Sequence, residues 1–424
     1  MGTKYLYMFF VKGVSSILLL LSSVLVARVI DIDQFGTFSF VISLVTVFSF
    51  TAIWGTDRYC LKEISLVPRR FSENSRVIVL GAYSVILINT ALLSIVIWWF
   101  LPGHVQIEGK WTAIGAILLL LFRSLLRVST SIMKGLNRVI LSEVLLNSAR
   151  PLLLIFLLMI FAVFLPGKTS VANVLLLFAA SFTVFFVVSN LFVINTIGFK
   201  AKITSSAFSS TYKCAFAFFI VGVGTPLLAE VNTIELGLYG TREQVALFSA
   251  AKRIVSVVLM GLVSANLLIS PKIAPLFKEK KMQQLAALIR SNNLFVLLIT
   301  SFPVALLLVF SEQAMGLFGD EYVKSAVYLK ILLIGQVVNV LCGPVLLVAT
   351  LTGLQKWASI IVLFSCAISF LLCETLIPRY GVFGAVYSAV AGTVCVNISL
   401  VLLIYIKHGI NISMFNLLHK NIHE

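Results

Sequence analysis

WTAIGAILLLLFRSLLRVSTSIMKGLNRVILSEVLLNSARPLLLIFLLMIFAVF, residues 111–164, decides the fold. It contains two apolar runs, 112–134 and 139–165, separated by a short turn around Gly135–Arg138. About 20 apolar residues are enough to cross a bilayer as a helix. Lipid offers no water to backbone N–H and C=O groups, so each run must satisfy its own hydrogen bonds as a helix. A turn this short makes the two helices antiparallel neighbours.

The same pattern extends outward in both directions. Apolar runs over 5–29, 35–56, 77–101, 112–134, 139–165, 171–197, 209–233, 245–270, 287–310, 326–352, 357–377 and 382–406 predict 12 transmembrane helices in an all-α polytopic membrane protein. Apolar residues make up 60% of the 424 and charged residues 11%, far from the balance of a soluble domain. The intervening loops are too short to fold separately. The first run is read as a retained helix rather than a cleaved signal, because Lys12 interrupts it and no small-residue cleavage pattern precedes Arg28.

Basic residues orient the chain. With the N-terminus inside, the inner side collects Lys4, Arg58, Lys62, Arg69, Arg70, Arg76, Lys134, Arg138, Lys200, Lys202, Lys272, Lys278, Lys280, Lys281, Arg290, Lys356, Lys407 and Lys420. The outer side keeps Arg28, Lys110, Lys168, Arg242, Lys324 and Arg379, with acids such as Glu108, Glu235, Glu243 and Asp320. Both termini are therefore expected to be cytoplasmic. The net charge of +16 is that of loops facing anionic headgroups, and no soluble basic domain exists to bind nucleic acid. The six cysteines lie in or beside spans without metal-like spacing, as buried packing residues would. His104, His408, His419 and His423 lie in a loop or the tail, so no histidine proton relay is expected within the spans, and no metal or cofactor site is legible.

Charge within the spans carries the functional signal, because a cation near the bilayer centre costs about 2.5–3.5 kcal/mol even on the lenient insertion scale. Lys12 and Lys213 lie near inner ends, whereas Arg123, Arg127, Arg150, Lys252 and Arg253 lie deeper. Counted from Trp111, Arg123 is about 18 Å along its helix, near mid-membrane. Arg123, Arg127, Thr130, Ser131 and Lys134 share one face, as do Glu143, Asn147 and Arg150 on the next helix. The hairpin sets Arg127 and Glu143 at similar depth, within reach of pairing, and Pro151 is expected to distort the helix beside Arg150. Two readings of the cations stay open: salt bridges that pin helices, or a water-filled cavity for an anionic substrate. The shortage of acids, with Glu143 and Glu230 the only intramembrane candidates, favours the cavity. In the eighth span Arg253 lies about 13 Å from the outer end. In the seventh, Gly222, Gly224 and Pro226 predict a bend, a feature that often forms gates in transporters. Ser15, Ser16, Ser22 and Ser23 of the first span read as a packing face.

Several segments at the span boundaries occur in an order that resembles the Wzx-type O-antigen and polysaccharide flippases of the multidrug/oligosaccharidyl-lipid/polysaccharide exporter superfamily. They are ARVIDIDQFGTFSF (27–40), GTDRYCLKEIS (55–65), VALFSAAKRI (245–254), SPKIAPLF (270–277), LFGDEYVKSA (317–326), GLQK (353–356) and LIPRYGVFGAVYSA (376–389). Ala246 and Phe248 depart from the family's usual Gly and Tyr, and its acidic position near the end of the seventh span falls on Glu230 or Asn232. The resemblance implies two pseudo-symmetric six-helix bundles, 1–204 and 205–424, around a central cavity.

It implies translocation of an undecaprenyl-diphosphate-linked oligosaccharide, an O-antigen or other lipopolysaccharide or surface-polysaccharide repeat unit, across a bacterial inner membrane by alternating access. Lys12, Arg58, Arg123, Arg127, Arg150, Lys252 and Arg253 are the expected substrate-binding residues, and Glu143, Glu230 and Pro226 the coupling or gating residues. No GxxxxGK[S/T] loop occurs, which disfavours ATP as driver and leaves an H+ or Na+ gradient or downhill flux into a polysaccharide polymerase. A multidrug cation antiporter of the same superfamily is the alternative and would prefer an acidic cavity. A membrane enzyme of polysaccharide assembly would need catalytic loops longer than these, so an enzyme is not expected.

Overall fold

The computed structural model describes residues 2–66, 73–105, 109–164, 170–198, 205–410 and 412, with the side chains of 2–10, 73–74, 205–207 and 267 excepted. Arg69, Arg70, Glu108, Lys168, Lys200, Lys202, His419, Lys420 and His423, on which part of the topology reading rests, lie outside the described residues.

Among the described residues, sixteen α-helices run in order: α1 Gly2–Val29, α2 Ile32–Ile53, α3 Thr56–Leu66, α4 Glu73–His104, α5 Gly109–Gly135, α6 Val139–Val144, α7 Arg150–Phe164, α8 Val171–Ile197, α9 Ser205–Tyr239, α10 Arg242–Lys278, α11 Met282–Val309, α12 Ser311–Gly316, α13 Ala326–Cys342, α14 Val345–Leu351, α15 Gln355–Tyr380 and α16 Val382–His408. A π-helical turn, Leu145–Ala149, joins α6 to α7, and a 3-10 turn, Asp320–Ser325, precedes α13. Among the described residues there is no strand, and 12 helices are long and apolar enough to cross a membrane. The protein is an all-helical multi-pass membrane protein.

The differences from the sequence expectation have local causes. The Pro151 distortion takes the form of the π turn. Pro151 cannot donate to the Asn147 carbonyl and its ring crowds that group, so the preceding turn widens. In the seventh span, by contrast, α9 continues unbroken through Gly222, Gly224 and Pro226. The expected single helix over 326–352 is broken, because α13 ends at Cys342 and Gly343 takes φ +79° before Pro344. Asn293 of α11 lies against that break, and a Cβ on Gly343 would sit 2.5 Å from its Nδ2. The 37 residues of α10 extend about 55 Å, well past a hydrocarbon core of about 30 Å. Hydropathy marks where lipid ends, not where a helix ends.

The chain divides into two compact units, Leu21–Glu230 and Met1–Leu20 with Val231–Glu424. In the first, α5 packs against α2, α3, α4 and α8, and Ile53, Cys60, Ile64, Ile86, Val128, Ile132, Met133 and Val193 form its core. In the second, α10, α11, α14 and α16 enclose Ile273, Leu285, Ile289, Val348, Ala358 and Ile404. Buried serines add to the packing. Ser15 donates to the Val11 carbonyl at 2.6 Å, and Ser124 to that of Leu120 at 2.7 Å. All six cysteines are free thiols. Cys60, Cys342 and Cys373 are buried and Cys214 is exposed.

Candidate functional site

The unit Leu21–Glu230 contains a recess built around the α2–α3 turn and lined by Arg58 and Asp57. Two consecutive left-handed residues, Trp54 (φ 53°) and Gly55 (φ 76°), reverse the chain there. Gly55 is required twice over: by its dihedral, and because a Cβ would lie 2.4 Å from the Ala215 carbonyl oxygen of α9. Trp54 stacks on Phe219 at 4.4 Å between centroids, and also on Tyr212 and Phe216. The aromatic stack and the close approach together hold the start of α3 against α9.

Asp57 sits in the first turn of α3, where the helix dipole favours an anion. Its Oδ1 accepts the backbone N–H of Arg58 at 2.9 Å, and its Oδ2 accepts Arg127 Nε of α5 at 3.2 Å. Arg127 lies 4.0 Å above the Phe50 ring of α2, a cation–π contact. Eight residues separate it from Gly135 at the end of α5, which places it about 12 Å from that end. Arg58 is exposed, and its guanidinium carbon lies 3.3 Å from where a Gly222 Cβ would stand on α9. Pro226 supplies no N–H for the Gly222 carbonyl, so this level of α9 lacks one intrahelical bond. Phe50, Asp57, Arg58, Phe218, Phe219 and Gly222 line a recess of about 10 Å³, room for about one water molecule.

Other expected site residues lie elsewhere. Arg123, one turn from Arg127 on α5, is half-buried. The Arg127–Glu143 pair that the hairpin allows does not form. Arg127 meets Asp57, while Glu143 Oε1 takes Lys134 Nζ at 2.7 Å and its Oε2 accepts Asn147 Nδ2 at 2.8 Å. Lys134 is one residue from the end of α5, so its long side chain reaches across the turn, and Asp57 enters through α3, which the hydropathy reading treats as loop. Arg150 is buried, lies 4.2 Å from the Phe182 ring centroid of α8, and donates from Nε to the Leu146 carbonyl at 3.3 Å. Glu230 accepts Ser43 Oγ at 2.9 Å, which ties α9 to α2, and Pro226 is buried.

Lys12, Lys252 and Arg253 belong to the other unit. Lys12 is half-buried, Lys252 Nζ donates to Thr233 Oγ1 at 3.2 Å, and Arg253 is exposed. That unit also contains two polar residues whose settings the sequence did not reveal. Asn232 Oδ1 accepts Ser369 Oγ and Cys373 Sγ, both at 3.0 Å. Glu235, expected in an outer loop, lies within α9 at 5% exposure, and its Oε2 has no hydrogen-bond partner. Helix length is the missing signal, since α9 extends past the hydropathy window that ended at 233. For Asp57 the signal is present but faint: Cys60 and Ile64 give residues 56–66 an apolar face at helical spacing.

The 12 candidate membrane helices among the described residues form a fold shared with solved structures. The lipid II flippase MurJ in an inward closed conformation superposes with a TM-score of 0.76 at 14% identity, over 94% of this chain and 87% of that one. An inward-facing multidrug resistance MATE family transporter of the MOP superfamily gives 0.73 at 14% identity, over 92% and 93%. The chain belongs to the polysaccharide biosynthesis protein family, whose model matches residues 1–277. It is also 25% identical over 198 residues to the probable low-salt glycan biosynthesis flippase Agl15 of Haloferax volcanii, a match spanning 44% of this chain and 41% of that protein. The family resemblance read from the boundary motifs and the family model agree.

Proposed function

We propose that the protein is a flippase that moves a diphosphate-linked oligosaccharide, carried on a polyprenyl lipid, across a bacterial inner membrane by alternating access, with both termini cytoplasmic. In this reading the symmetry-related halves are 1–204 and 205–424, and O-antigen or another surface-polysaccharide repeat unit is the cargo. Membership of a polysaccharide biosynthesis family supports a glycan substrate. The observation that carries the reading is the recess itself, which Arg58 and Asp57 line and where Arg127 reaches the Asp57 carboxylate from α5. Dehydrating a diphosphate is the largest electrostatic barrier to crossing, and guanidinium groups offset it through charge-assisted hydrogen bonds. Cationic drugs require the opposite polarity, and transport needs no catalytic group.

Arg123, Arg150, Lys12, Lys252 and Arg253 are the further cations assigned to the substrate path. Coupling to an H+ or Na+ gradient is assigned to Glu230, which accepts the Ser43 hydroxyl, and to Glu143, which pairs with Lys134, with Pro226 as the gating residue. A polysaccharide polymerase acting on the outer side would consume the product. The test is deletion of the gene followed by assay of which leaflet holds lipid-linked oligosaccharide. Inner-leaflet accumulation supports the reading. Outer-leaflet accumulation points to an enzyme acting after the flip, and no glycan phenotype points to drug export.

A further inference from the structure

Asp57 stands where a bound anion would stand. Its carboxylate lies in the recess lining beside Arg58, and Arg127 reaches it from α5. The contact is weakly built for an arginine–carboxylate pair. It runs through Nε at 3.2 Å rather than through paired terminal nitrogens, and the Arg127 side chain keeps 35% of its exposure. The carboxylate is stabilised even without Arg127, by the Arg58 backbone N–H at 2.9 Å and by the start of α3. Arg127, for its part, rests on the Phe50 face at 4.0 Å, which holds the guanidinium in place independently of Asp57. Both partners are therefore positioned to separate without either being stranded. With room for about one water beside Asp57, the recess must lose the Asp57 contact before a diphosphate can reach Arg127.

We infer that Asp57 is a resident counter-ion that a diphosphate displaces from Arg127, so that binding and release proceed by exchange of one anion for another. This rests on the flippase reading and adds a role to it. Asp57 is a positioning residue that holds Arg127 at the edge of the recess and limits how tightly cargo is held. The exchange also reports to the helices. Asp57 lies in the first turn of α3, two residues after Gly55, where α3 approaches α9 closely, so freeing the carboxylate loosens the turn that clasps α9.

The test uses the full-length protein in zwitterionic nanodiscs with inorganic pyrophosphate as probe, binding being read by calorimetry. Asp57→Asn removes the competitor and should tighten pyrophosphate binding about fivefold, the scale of one partly exposed ion pair. Asp57→Glu should remain near wild type. Arg127→Gln should weaken binding, and adding Asp57→Asn to it should bring no gain. In the wild-type protein, pyrophosphate should speed backbone hydrogen exchange over 56–60, a readout that does not depend on how well Asp57→Asn folds. Unchanged or weaker binding by a folded Asp57→Asn, or unchanged or slowed exchange, overturns the inference. Absence of wild-type pyrophosphate binding also overturns it, while the leaflet assay decides the flippase reading separately.

Discussion

Replacing Gly55 with alanine tests whether the α2–α3 turn is clasped onto α9 as the structure describes. Two costs add. A residue with a Cβ pays about 1 kcal/mol to hold the left-handed conformation at φ 76°. The new Cβ would also lie 2.4 Å from a backbone oxygen, about an ångström inside the 3.4 Å of ordinary contact, and a helix backbone cannot swing away as a side chain can. Overpacking of this kind adds about 2 kcal/mol, for a total of about 3 kcal/mol. Gly353 is the internal control, with φ +86° and nothing within 4 Å of its Cβ position, so Gly353→Ala carries only the conformational cost of about 1 kcal/mol. Thermal unfolding of the two purified variants in the same detergent, followed by loss of the monodisperse peak, should shift at least twice as far for Gly55→Ala. Equal shifts would refute the close-approach argument and with it the construction of the recess.

Glu143→Ala strands Lys134 in a half-buried position and should cost about 2 kcal/mol in thermal stability, most of which Lys134→Met restores in the double variant; additive losses would contradict the pairing. Arg150→Ala should lower stability by about 1–2 kcal/mol through loss of the Phe182 contact, whereas exposed Arg253→Ala should leave the melting curve unchanged and yet fail to restore glycan assembly. Burial, then the nearby Asp57 and Glu63 carboxylates, pushes the Cys60 thiol far above its ordinary range, so it stays protonated as pH rises through that range. A variant retaining only Cys60 should therefore resist maleimide up to about pH 9 and label only after denaturation, and labelling of the native protein that climbs between about pH 7 and 9 would refute its burial.

The membrane fold was legible because its determinant is local. Each span carries its own apolar run, and the run over 112–134 is visible without reference to any other helix. The breaks were not legible on the same terms. Gly343–Pro344 interrupts an apolar stretch whose hydropathy never falls, so the break shows only in the backbone chemistry of those two residues, and the neighbour that packs against it, Asn293, is far away in sequence. The site was half legible. Deep arginines are conspicuous on energetic grounds, so Arg123, Arg127 and Arg150 could be picked out, but their partners depend on which helices meet. Glu143 is the partner within reach of Arg127 in the sequence because a hairpin is the one tertiary contact that sequence guarantees. Asp57 wins because α3 brings a carboxylate to the start of a helix beside α5. Glu235 was lost for a different reason. A charged residue at the edge of an apolar window reads as loop, yet the helix continues to Tyr239 and buries it.

The central claim is transport of a diphosphate-linked glycan lipid, and reconstitution measures it most directly. Purified protein in liposomes containing a fluorescent polyprenyl-diphosphate saccharide should let a membrane-impermeant quencher or a glycan-modifying enzyme added outside reach the lipid initially on the inner leaflet. The account predicts that accessibility rises from the outer-leaflet half toward completeness with wild-type protein, and much more slowly with folded Arg127→Gln. Accessibility fixed at half with active, correctly folded protein and an ion gradient of either kind imposed would contradict it.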